Sequence, residues 1–118
     1  INDYNEAKKY FEICAKTDKG NIGAECAYHA ALCLYKTNQY DEAEEQVFYV
    51  SDNFNSYINW TARSFILLSD VYVAKDNIFQ AKETLKSVIE NYPKDRDDSN
   101  DIIKEAEGKI NQLGIRNE

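Results

Sequence analysis

The stretch Tyr40-Asp41-Glu42-Ala43 repeats Tyr4-Asn5-Glu6-Ala7, and it returns in looser form as Ile78-Phe79-Gln80-Ala81. The alanines lie 36 and 38 residues apart, and each stretch opens an amphipathic run. After the first, Ala7, Tyr10, Phe11 and Cys14 follow the three-and-four spacing of one helix face. After the second the face reads Ala43, Val47 and Val50. After the third it reads Ala81, Leu85, Val88 and Ile89, up to Tyr92-Pro93, where the proline disfavours a helical conformation at the residue before it. A period of this length marks a repeat array, in which each unit buries its apolar face against its neighbours.

Between these templates lie two longer helical runs, Ile22 to Lys36 and Tyr57 to Lys75, each joined to the next template by a short polar turn, Thr37-Asn38-Gln39 or Asp76-Asn77. The pattern predicts paired antiparallel helices. The linkers Thr17 to Asn21 and Asp52 to Ser56 carry Gly, Asn, Asp and Ser, which cap helices or complete turns, and Ser56 is the expected cap of the helix after it. Beyond Pro93 a polar stretch leads to a last helix from about Asp101 to Leu113, with Asp98, Ser99 or Asn100 as its cap. Its thin apolar face, Ile102, Ile103, Ala106, Ile110 and Leu113, suits the end of an array.

At 118 residues the chain is sized for one domain, and 30% charged with 43% hydrophobic residues is the balance of a folded chain. One Pro and four Gly are too few for the many tight turns of a sandwich or barrel. No apolar run approaches a membrane span, so no direct insertion by this stretch is expected. A formal charge of -7 with scattered Lys and Arg argues against a nucleic-acid partner. The chain opens at Ile1 and contains no Met, so it is expected to be a piece of a longer protein.

The repeats resemble the tetratricopeptide repeat, whose pattern places a small residue where two antiparallel helices cross, with aromatics and leucines around it and a proline at the end. Ala31 and Ala43 take the small positions of one repeat, and Ser69 and Ala81 those of the next, with Leu68 and Tyr72 beside Ser69 and Pro93 closing. Ala7 takes the place in the first template. The resemblance implies an all-α right-handed α-α superhelix: residues 2–16 as the second helix of a truncated repeat, repeats at 22–54 and 57–93, and a C-terminal capping helix at 98–114. The pattern departs at Ala30, where leucine is usual, and at Asn55, where the proline would stand.

Function follows from that resemblance: a non-catalytic scaffold that binds a protein or peptide on its concave face. The family's groove positions fall on Glu25, Tyr28, Leu32, Tyr35 and Lys36 of one helix, and Arg63, Ile66, Asp70 and Val73 of the next. Tyr and Arg are typical anchors of such contacts. The Lys, Asn and Arg clamp that grips a C-terminal carboxylate in co-chaperone members is missing, since those positions hold Tyr28, Leu32 and Arg63 among others. The spacing and the Tyr-Pro ending are also similar to repeats of bacterial cell-envelope proteins, with a cytoplasmic setting as the alternative. No cofactor is expected.

Two other readings compete. The open face at Tyr4 to Cys14 could pair two copies of the chain. Alternatively Cys26, His29 and Cys33, spaced for one helix face, together with Cys14 could form a metal- or thiol-active module. Core packing is the better account of these cysteines, because cysteine is among the most buried residue types. An odd count with no CxxC spacing gives a disulfide framework or a zinc ribbon no support. No strand-to-helix elbow or Gly-rich loop accompanies a nucleophile, which argues against an enzyme. The sequon Asn59-Trp60-Thr61 falls inside a predicted helix and carries no weight.

Overall fold

A computed structural model describes residues 3–116, so the start of the first segment expected at residue 2 lies outside the described residues. Six helices follow one another: α1 (Tyr4–Thr17), α2 (Asn21–Lys36), α3 (Tyr40–Asn53), α4 (Ile58–Ala74), α5 (Ile78–Asn91) and α6 (Ser99–Arg116). Among the described residues there is no strand. Each helix packs against the next, and α2, α4 and α6 also touch in series. By contrast α3 and α5 do not meet, although both rest on α4.

The turns within the two central pairs are copies of each other. Asn38 and Asp76, 38 residues apart, both adopt left-handed backbone with φ of 62° and 63°, which short polar side chains tolerate best after glycine. Around Asn38 the amide of Gln39 reaches back to the Leu34 carbonyl at 2.8 Å. Around Asp76 the amide of Asn77 reaches the Tyr72 carbonyl at 2.8 Å. These bonds close the helix ends and fix where the second helix of each pair departs.

The linker between α1 and α2 works differently. Gly20 stands at the N-cap and has no side chain to offer, so the Asp18 carboxylate supplies the cap, accepting from the amides of Gly20 at 2.7 Å and Gly23 at 3.2 Å. Gly23 is required by close approach: a Cβ there would sit 1.8 Å from the Asp18 carbonyl oxygen. Ser56 is not the cap expected for α4, whose N-cap is Tyr57 with no side-chain bond. At the last helix Ser99 is the polar anchor, its hydroxyl accepting from the Arg96 amide at 3.0 Å and donating to the Pro93 carbonyl.

Small residues set the helix spacing. Ala24, Ala27, Ala30 and Ala31 of α2 are all fully buried, which lets α1, α3 and α4 approach α2 closely. One core joins Leu34, Val47, Leu67, Leu68, Val71, Leu85, Ile102 and Leu113. A second, smaller one joins Ala15, Ala24, Ala27, Val50 and Phe54 beneath the α1–α2 linker. Within the second of these lies the correction to the cysteine reading: Cys14 and Cys26, 12 residues apart, are joined in a disulfide between α1 and α2. Cys33 remains a free, buried thiol whose pKa is pushed up by burial.

Candidate functional site

The face shared by α2, α4 and α6 carries most of the residues expected to bind. Along α2, Tyr28, Leu32 and Tyr35 are half-buried, with their inner sides on the core. Glu25 is half-exposed beside His29, carboxylate to imidazole 3.8 Å, and Lys36 is exposed. Burial pushes the Tyr28 hydroxyl above its ordinary pKa while the Arg63 guanidinium pulls it down. Burial likewise raises Tyr35, and the Asp70 carboxylate adds to the rise.

On α4 the polar side chains are held in place by neighbours. The Arg63 Nε donates to Asn59 Oδ1 at 2.9 Å, and its guanidinium lies 5.6 Å from the centre of the Trp60 ring. Both Asp70 oxygens accept from Lys109 Nζ of α6 at 3.1 Å. Val73 is half-buried. Ile66 departs from expectation: it is only 2% exposed and belongs to the core. The reason is that α4 is packed by α2, α3, α5 and α6 together, so the strip of it left open is narrower than the repeat pattern suggests.

Sequence reasoning missed the aromatic part of this face. Phe11 of α1 stacks on His29 at 5.1 Å, His29 meets Tyr28 at 5.2 Å, and Tyr28 meets Trp60 at 5.6 Å. Arg63 joins the row, its guanidinium over the Trp60 ring. The result is a continuous, half-exposed strip of four rings and a guanidinium crossing α1, α2 and α4. A signal for it existed in the helical spacing, since Trp60 precedes Arg63 by one turn and His29 follows Glu25 by one turn.

The small positions divide in two. Ala31, Ala43 and Ala81 are 0% exposed, and Ser69 is 1% exposed with its hydroxyl donating to the Ile66 carbonyl at 2.6 Å. Ala7 is half-exposed, because nothing described packs on the outer side of α1. Pro93 follows the end of α5 and is half-buried. With Cys14 and Cys26 bonded to each other, the four-ligand set of Cys14, Cys26, His29 and Cys33 does not assemble, and among the described residues no group of three or more His, Cys, Asp or Glu side chains is placed to hold a metal ion.

A family model for the tetratricopeptide repeat matches residues 61–95, which take in most of α4, all of α5 and the Tyr92-Pro93 ending. The six-helix architecture is that of a tetratricopeptide-like helical repeat. No curated protein and no solved structure matches the chain. No helix among the described residues is long and apolar enough to cross a membrane.

Proposed function

We propose that this chain is a non-catalytic interaction module that holds a protein or peptide segment on the α2–α4–α6 face. Tetratricopeptide repeats are in general protein-interaction modules. The single observation that carries the reading here is the strip Phe11–His29–Tyr28–Trp60–Arg63, because rigid aromatic side chains with a stacked guanidinium give large contact area at low entropic cost. Tyr35 and the Asp70–Lys109 pair continue the face toward α6. The Cys14–Cys26 disulfide supports an oxidising setting such as a cell envelope, since such bonds persist mainly outside reducing compartments.

The test is capture from an extract of the source cells, comparing the chain with a Tyr28→Ala, Tyr35→Ala, Arg63→Ala variant shown to be folded. The segment identified is then titrated against each protein while the emission of the single tryptophan, Trp60, is followed. Binding that shifts Trp60 emission in the parent chain and weakens roughly tenfold or more in the variant supports the assignment. Equal binding to both proteins overturns it.

A second reading rests on α1 and the start of α2, where Tyr10, Ile13 and Ile22 are 66%, 64% and 60% exposed. Exposed apolar groups in such number favour an interface between copies of the chain. Light scattering over a wide concentration range tests it: a mass that stays monomeric throughout removes self-association.

A further inference from the structure

The face of α4 opposite the aromatic strip borders a groove of about 470 Å³, open between α3 and α5. Its floor is Ile58, Ala62, Phe65, Leu68 and Tyr72 of α4, and its walls are Phe48 of α3 and Val88 of α5. The groove exists because α3 and α5 do not touch. Phe48 is left 42% exposed, its ring set edge-on to Phe65 at 6.2 Å.

Four of the polar side chains along this groove are already engaged, while the Tyr92 hydroxyl, which also lines it, is buried without a partner. The Thr84 hydroxyl donates to the Gln80 carbonyl, the Asn91 amide to the Ser87 carbonyl, the Thr61 hydroxyl to the Phe54 carbonyl, and the Tyr72 hydroxyl to Glu44. The wall helices spend their own backbone groups internally. An extended segment laid along the apolar floor of Ile58, Ala62, Phe65 and Leu68 would therefore bury amides and carbonyls against side chains that offer them nothing, at a cost of a lost hydrogen bond each. A helix brings its backbone bonds with it and presents only side chains.

Charge narrows the occupant further. Among the described residues Glu83, which meets Lys86 at 3.4 Å, is the only ionised side chain lining the groove, and the end at Tyr72 is flanked by Asp41 and Glu44, which share Lys75. No cation among the described residues lines it, and the nearby Lys75 and Lys86 are already paired with carboxylates, so acidic side chains or a free fatty-acid carboxylate would gain no unpaired cation there. We infer that this groove is a second docking site, distinct from the aromatic face, and that it receives an amphipathic α-helix whose apolar stripe lies on Phe48, Phe65 and Leu68 and whose flanks carry Lys or Arg.

The probe is a short Leu–Lys peptide of helical period, titrated into isotope-labelled protein and followed by amide chemical shifts. A peptide of the same composition with strictly alternating Leu and Lys, and a helical Leu–Glu peptide, complete the set. Expected are saturable shifts at Phe48, Phe65, Thr84 and Val88 with the helical Leu–Lys peptide alone, weakened roughly tenfold or more by Phe48→Glu and by Ser87→Trp. Phe48→Glu adds negative charge, so mere attraction of a basic peptide to an acidic protein would strengthen instead. Tighter binding to Phe48→Glu overturns the proposal, as do equal shifts with the alternating peptide or shifts confined to other faces. Both variants alter exposed positions, and their circular dichroism and amide spectra establish that each is folded before binding is compared.

Discussion

The three equivalent alanines offer a test in which each position controls the others. Phenylalanine at Ala43 or Ala81 must enter a site with 0% exposure, and neither alanine borders the open groove that would accept the ring. Overpacking of this kind typically costs about 1–3 kcal/mol, and with no neighbouring space the upper end applies, about 3 kcal/mol. For a chain of this size each kcal/mol moves the melting temperature by about 4 °C, so a fall of about 12 °C is expected. At Ala7, which is half-exposed, the ring can turn outward and the packing cost falls to about 0.5 kcal/mol. The lower helix propensity of phenylalanine is common to all three and cancels in the comparison. Thermal melts followed by circular dichroism read the result. If Ala7→Phe costs as much as Ala43→Phe, or if Ala43→Phe costs less than about 0.5 kcal/mol, the helix-crossing argument is refuted.

Three further outcomes are expected. Opening the Cys14–Cys26 bond with a reductant, or replacing both by serine, removes closure of a loop with a sequence separation of 12, worth about 3 kcal/mol in the chain-entropy account; melts with and without reductant that coincide would contradict it. Gly23→Ala should destabilise by about 2 kcal/mol or more despite alanine's better helix propensity, because the new Cβ meets the Asp18 carbonyl at 1.8 Å, and a denaturant midpoint at or above that of the parent chain would show the linker yields freely. The Arg96 guanidinium holds the Asp98 carboxyl at about 2, below its ordinary 3.8. A depressed folded value contributes stability that is complete above the unfolded pKa and disappears as pH falls from about 4 toward 2. Asp98→Asn should therefore flatten the acid dependence of the melting temperature in that window, and an unchanged slope would remove Asp98 from the account.

The helices were legible because their signal is local. The period at Ala7, Ala43 and Ala81 and the polar turns at Asn38 and Asp76 need only the chain itself, and Asn38 and Asp76 take the left-handed geometry that short polar residues favour. The disulfide was not legible, because Cys14 and Cys26 meet only after α1 folds back on α2 through a linker that Gly23 and Asp18 tighten. Ile66 was placed on the surface by the repeat register, which does not count how many helices surround α4. The aromatic strip draws on three helices at once, and Lys109 reaches Asp70 across 39 residues, so neither follows from spacing along one helix. The groove is the product of a contact that α3 and α5 fail to make, and a sequence pattern records contacts rather than gaps.

The Cys14–Cys26 bond also changes what proteolysis can do to this chain. Lys16, in the last turn of α1, and Lys19, in the linker, lie between the two cysteines and are exposed, so a protease that cuts after lysine would meet sites inside the disulfide-closed segment. A cut there adds one water and creates new termini, yet the two pieces stay covalently joined through sulfur. Under non-reducing conditions the nicked chain migrates as one species, and only reduction releases the fragment that carries α1.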